Sequence, residues 1–196
     1  MEFTTDWFTA RVPEITESLK HVPRDADILE IGSWEGRSAT WFLDHLPGSK
    51  ITCVDTWEGG VEHAGIDVAA VERRFFHNMN SFEGRYVVRK GDSKKVLFSL
   101  APESYDLVYV DGSHLSRDAL SDIVTGWNLL KPGGVMLVDD YGSEDKGVAL
   151  ALETFCECNK PDWKLLHAWY QVHLQKPGPQ GAERVPVGDV DPPPLE

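Results

Sequence analysis

Asp27-Ile28-Leu29-Glu30-Ile31-Gly32-Ser33-Trp34-Glu35-Gly36-Arg37-Ser38 carries a short apolar run straight into a glycine-bearing turn and the start of a helix. The run reads as a buried strand. Gly32 permits the tight turn, and Gly36 permits a close approach of helix to strand. Residues 50–54, 85–88, 105–110 and 134–138 are apolar runs of the same kind. Between them the apolar period becomes helical. Ala39, Phe42, Leu43 and Leu46 share one face. Leu120, Ile123, Val124, Trp127 and Leu130 share another, with Ser116 as the expected cap and Lys131-Pro132-Gly133-Gly134 as the expected stop. Val148, Ala151, Leu152 and Phe155 form a third. Such alternation predicts right-handed crossovers and an α/β, doubly wound, mostly parallel sheet with helices on both faces.

The ends differ from this core. Residues 1–24 predict an N-terminal helical segment with Pro13 near a helix start. Residues 163–176 read as two strands in quick succession, an antiparallel hairpin on the sheet edge. One domain over 1–176 is therefore expected, followed by a Pro-rich, disordered or loosely draped tail over 177–196.

The chain has 196 residues with 19 basic and 32 acidic side chains, a net charge of −13. That balance argues against a nucleic-acid partner, whose phosphates are bound by clustered Lys and Arg. No run approaches the ~18 apolar residues of a membrane span, and no basic-then-apolar leader opens the chain. The expectation is a cytoplasmic protein with Cys53, Cys156 and Cys158 reduced. Cys156 and Cys158 lack the second pair that a zinc site needs. A homo-oligomer stays open, since no self-complementary patch is marked in the sequence.

Open parallel sheets bind ligands at the carboxyl ends of their strands. A dinucleotide fingerprint wants glycine at 32, 34 and 37, but Trp34 and Arg37 stand at two of those positions. A tryptophan where the backbone must approach a pyrophosphate argues against a dehydrogenase. S-adenosylmethionine (SAM) has no pyrophosphate, so its pocket accepts a side chain there. The second strand ends in Asp55, where a carboxylate can accept both ribose hydroxyls. The plain alternative is an ordinary turn with a helix-capping Asp.

The ordered set of residues 28–36, Val54-Asp55, Gly91-Asp92-Ser93 and Leu130-Lys131-Pro132-Gly133-Gly134 resembles the motif series of class I SAM-dependent methyltransferases. The resemblance implies a seven-stranded sheet of order 3-2-1-4-5-7-6. It also implies that Glu30 lies near the methionine amine and that Gly32, Ser33, Trp34, Gly36 and Ser38 wrap the amino-acid portion. Asp55 would hold the ribose, and Asp92 and Ser93 would line the adenine. Trp57 would contact adenine or ribose, or else pack locally.

The fourth strand ends Val110-Asp111-Gly112-Ser113-His114 and the fifth ends Val138-Asp139-Asp140-Tyr141. Neighbouring strand ends bring three carboxylates to one rim, and like charges there call for a cation. Mg²⁺, or Ca²⁺ or Mn²⁺, suits an all-oxygen set. The alternative is that these carboxylates cap loops or helices. The pattern resembles the metal-dependent O-methyltransferases of the catechol, caffeoyl-CoA and macrocin-like antibiotic-tailoring types. That resemblance implies Asp111, Asp139 and Asp140 as ion ligands, with Asp111 also beside the cofactor. The catechol type has a Lys base three residues after its first metal Asp; here His114 stands there, and a histidine is a competent base. A structural His114 is the alternative. The function expected is methyl transfer to a hydroxyl of a small-molecule acceptor. A non-catalytic SAM-binding protein and a hydroxylase-like metal enzyme on the same fold are the other readings. Residues 56–80 are expected to form a lid or acceptor wall, although Val68, Val71, Phe75 and Met79 equally suit core packing. Tyr141 either touches the acceptor or packs.

Overall fold

The computed structural model describes residues 1–60, 63–160 and 162–178. Five strands run parallel: β1 Asp27–Ile31, β2 Lys50–Asp55, β3 Tyr86–Lys90, β4 Tyr105–Val110 and β5 Leu130–Val138. Two more, β6 Lys164–Ala168 and β7 Val172–Gln175, add antiparallel at the β5 side, and the order is β3-β2-β1-β4-β5-β7-β6. The helices are α1 Val12–Ser18, α2 Arg37–His45, α3 Val68–Met79, α4 Ser93–Val96, α5 Ser116–Leu129 and α6 Gly147–Cys158.

Alternation along each central strand feeds two cores. Leu29, Ile31, Val108, Val110, Met136 and Val138 face α5 and α6, where Ile123, Trp127, Leu152 and Phe155 meet them. Ile28, Leu107, Tyr109, Val135 and Leu137 face the other way, toward Ile15 of α1, Phe42 of α2 and Phe75 and Met79 of α3. Both faces of the sheet are thus covered, as parallel sheets require. Each such side chain contributes about 1.5–3 kcal/mol on burial.

Three local expectations are corrected. Ser116 is the first helical residue of α5 rather than its cap; the cap position is Leu115, whose amide is met by Ser113 Oγ at 3.3 Å. Residues 131–134 do not merely end α5. That helix stops at Leu129, and residues from Leu130 onward already pair with β4, with a register shift between Tyr105 and Leu107 that absorbs the extra turn. The third strand begins at Tyr86 and continues to Lys90. Within the 56–80 insertion, Phe75 is core and Phe76 faces out, because α3 presents Val71, Phe75 and Met79 inward. The Pro-rich tail lies, from residue 179 on, outside the described residues. No described helix is long and apolar enough to cross a membrane.

One glycine sets how strands β1 and β4 end. Gly32 has φ of +88°, and a Cβ there would sit 1.8 Å from the carbonyl oxygen of Asp111. Backbone cannot swing aside as a flexible side chain can. Gly133 is the natural control: its φ is +85°, and nothing lies within 4 Å of an added Cβ. The left-handed conformation alone costs a non-glycine residue about 1–2 kcal/mol. Gly133→Ala is expected to lose about that much, whereas Gly32→Ala adds the clash and should lose more than about 3 kcal/mol or fail to fold. Urea midpoints of the two variants check this, and equal losses would show that the Gly32 turn can relax.

Candidate active site

The turn after β1 is held by the end of β2. Asp55 Oδ2 accepts from the amides of Ser33 (2.8 Å) and Trp34 (2.9 Å), and Oδ1 accepts from the amide of Trp57 (2.7 Å). The Trp57 indole then donates to the Trp34 carbonyl at 2.9 Å. Trp34 and Trp57 both take positive φ, 47° and 49°, so two strained residues are locked by one carboxylate. A carboxylate offers about four acceptor positions. Three are used here, which leaves room for one more donor.

Below this turn lies Glu30, fully buried on β1. Its Oε1 accepts from the Ser38 hydroxyl at 2.6 Å, while Oε2 has no partner among the described residues. Burial pushes its carboxyl up to about 7 against the pull of the Ser38 hydroxyl, and the Asp55 charge adds to the rise. Ser33 Oγ and Trp34 Nε1 are also buried and partnerless among the described residues. One turn therefore gathers three unsatisfied polar atoms, one of them on a carboxyl group, which is what an ammonium-bearing amino-acid ligand would complete. Asp92 caps α4 by accepting from the Lys94 amide at 3.0 Å, and Ser93 opens that helix. Both sit at the end of β3, tied to β2 by the Gly91 amide on the Asp55 carbonyl.

Register brings the second half of the site alongside. Ile31 pairs with Val110 and Val110 with Val138, so Gly32, Asp111 and Asp139 follow one another across three adjacent strand ends. Asp139 is buried; Tyr109 donates its hydroxyl to Oδ2, and the Asp140 amide donates to Oδ1 at 2.8 Å. Burial and the charges of Asp139, Asp140 and Glu30 raise the Asp111 carboxyl well above its usual range. Burial, then the Asp140 charge, raises Asp139 as well. Asp140 goes the other way. Burial would raise it, but hydrogen bonds from His114 and Tyr170 outweigh that and hold it low. His114 Nε2 lies 2.8 Å from Oδ2, and the Tyr170 hydroxyl donates to Oδ1 at 2.7 Å. The Arg11 guanidinium covers the Tyr170 ring at 3.8 Å.

The three carboxylates expected to meet on an ion stay electrostatic neighbours but differ in their partners: the charge of Asp140 reaches both Asp111 and Asp139, while its own oxygens are taken up by His114 and Tyr170. Among the described residues no group of three or more His, Cys, Asp or Glu side chains is placed to hold a metal ion. The reason is local charge: a cationic or donor partner within reach is better company for Asp140 than two anions.

Several residues at this edge carried no sequence signal. Tyr109 and Tyr170 look like ordinary strand and turn aromatics. Glu35 is buried in the glycine turn and accepts from the amide and hydroxyl of Thr4 and from Arg74. Asp122 is buried on α5 with a partnerless Oδ1 among the described residues, and burial pushes its carboxyl up to about 6. An acidic residue on the buried face of an amphipathic helix was the only available hint. Tyr141 packs in the core with its hydroxyl on Glu153 at 3.2 Å.

A family described as a methyltransferase domain matches residues 29–141. A protein of Mycobacterium sp. (strain JLS), named as an O-methyltransferase, is 29% identical over 131 residues, covering 66% of this chain and 55% of that protein. The chain spans about half the length, or less, of the first curated relatives it matches. Among solved structures, the O-methyltransferase TomG of Streptomyces achromogenes in complex with SAM has a TM-score of 0.64 at 18% identity, covering 88% of this chain and 82% of that one. The Bacillus cereus O-methyltransferase in complex with S-adenosylhomocysteine (SAH) has a TM-score of 0.62 at 17% identity, covering 89% and 83%. At such identities the fold is what is shared.

Glu30 generates a pH prediction. Its folded-state pKa lies above the ordinary 4.5, so the stability associated with its protonated form is complete below pH 4.5 and is lost as pH rises through about 7. Relative to Glu30→Gln, the wild-type protein should lose about 3 kcal/mol across that window. Urea unfolding of both proteins over a pH series measures it, and a flat difference curve would show that Glu30 ionises normally.

Proposed function

Because the chain belongs to the methyltransferase-domain family that matches residues 29–141, we propose that it transfers a methyl group from SAM to a hydroxyl of a small-molecule acceptor. The observation that carries this reading is the buried, partnerless carboxyl oxygen of Glu30 beneath the Gly32 turn, with the His114–Asp140 pair following the next two strands of the sheet. SAM fits these residues. Glu30 would take its ammonium group, Ser33 and Trp34 its remaining polar atoms, and the unused acceptor position of Asp55 a ribose hydroxyl. Trp57, Asp92 and Ser93 would flank the adenine. When bound, SAM supplies an electrophilic methyl group on a sulfonium centre.

The chain's own residues supply the rest. Asp140 draws the Nε2–H of His114, which fixes the ring and makes Nδ1 the more basic nitrogen. That nitrogen would take the proton of the acceptor hydroxyl. The Asp111–Asp139 pair, kept from full ionisation by burial and mutual charge, would ionise beside a cationic donor and help to hold it in line. Residues 56–60 and 63–80, the described part of that insertion, would wall the acceptor side. Divalent-ion dependence, implied by the sequence resemblance, does not fit the donor set as arranged, and no step here passes through an ion.

Calorimetric titration with SAH should show binding that Glu30→Gln weakens at least about tenfold, the worth of a charge-assisted hydrogen bond. Methyl transfer from labelled SAM to a panel of phenols and sugars should fall about 10²–10⁴-fold in His114→Ala while SAH affinity stays unchanged. Dialysis against EDTA should leave transfer intact. Absence of SAH binding sinks the proposal; binding without transfer to any acceptor favours a non-catalytic SAM-binding protein. Loss of transfer on EDTA treatment that Mg²⁺ restores would return Asp111, Asp139 and Asp140 to the role of ion ligands.

A further inference from the structure

A line of buried polar side chains runs from α1 to the acidic rim. Ser18 Oγ lies 2.7 Å from His173 Nδ1, and His173 Nε2 lies 3.1 Å from Gln171 Oε1. Gln171 Nε2 donates to the Tyr109 hydroxyl at 3.4 Å, and Tyr109 donates to Asp139. Ser18, His173, Gln171 and Asp139 are all buried, as is the Tyr109 ring. Together these links join α1, β7, the turn before it, β4 and the end of β5.

The chemistry allows one direction. With Asp139 ionised, Tyr109 must donate to it, so its oxygen accepts from the Gln171 amide. Gln171 Oε1 must then accept, which requires a proton on His173 Nε2. Nδ1 is left as acceptor, and Ser18 donates to it. Burial holds His173 neutral by pushing its pKa down to about 3, consistent with a single ring proton. Every link is satisfied only with all donors aimed toward Asp139.

The same segment reaches Asp140 by a separate route. Arg11, one residue before α1, lies over the Tyr170 ring, and Tyr170 donates to Asp140. Tyr170 and Gln171 are neighbours in the turn between β6 and β7. One helix and one turn therefore orient two adjacent carboxylates toward different partners.

We propose that Ser18, His173, Gln171 and Tyr109 are positioning residues for Asp139, so that the seating of α1 governs the geometry of the acidic rim. A purely structural chain would change stability alone when a link is removed, whereas a positioning chain also changes what happens at Asp139. The assignment of Asp139 to the reacting site rests on the proposed function, but the relay itself can be tested without it.

The test is ¹⁵N NMR of the full chain with labelled histidine rings, without ligand. His173 should be neutral with its proton on Nε2. Its ring signals should shift in Ser18→Ala, in Tyr109→Phe and in Asp139→Asn, and should stay in place in Asp106→Asn, a carboxylate at the opposite end of the sheet. Ser18→Thr, which keeps the hydroxyl, should restore the wild-type signals. With an acceptor from the panel above, Ser18→Ala should lower kcat roughly three- to tenfold at unchanged KM for SAM, and Ser18→Thr should restore it. A proton on Nδ1, or His173 signals indifferent to both Tyr109→Phe and Asp139→Asn, would overturn the relay. Shifts as expected in a protein that does not bind SAH would leave the relay standing and remove the methyl-transfer reading instead.

Discussion

Five carboxyl groups crowd the carboxyl edge of a single parallel sheet: Glu30, Asp55, Asp111, Asp139 and Asp140. Charges that close cannot all ionise in a poorly solvated cleft unless each finds a donor. Asp55 is satisfied by three backbone amides, Asp139 by Tyr109 and a neighbouring amide, and Asp140 by His114 and Tyr170. Those donors do not fully offset burial and crowding, and the raised pKa values of Glu30, Asp111 and Asp139 record it. A cationic ligand relieves that strain directly, which is why a sulfonium compound bearing an ammonium group suits this edge.

The N-terminal residues take part in the same arrangement. Glu35, buried within the glycine turn, accepts from Thr4 twice and from Arg74 of α3. Asn78 ties the Glu2 backbone and the Glu35 carbonyl together. Trp7 lies against Trp34 and His63, with ring centroids 5.8 and 6.2 Å away. The first residues, the glycine turn and α3 thus form one unit beside the proposed donor site.

Much of this was legible from local pattern. The strands, the glycine turn and the Asp55 strand end follow from apolar runs and from spacings within a few dozen residues, and the sheet order from the motif series that they form. The functional partners of Asp139 and Asp140 did not. Tyr170 lies 30 positions from Asp140, and His173 lies 155 positions from Ser18. Neither pair has a periodicity that links it.

The sequence by itself determined which residues are brought to the edge, because strand direction and alternation place every residue after a parallel strand at the same end. Only the tertiary structure decided what each carboxylate faces there. Side-chain direction at the rim depends on donors delivered by distant elements, α1 and the β6–β7 turn among them. Hydrogen bonds of that kind are made by proximity in space, and three aspartates that read alike along the chain end up with different partners.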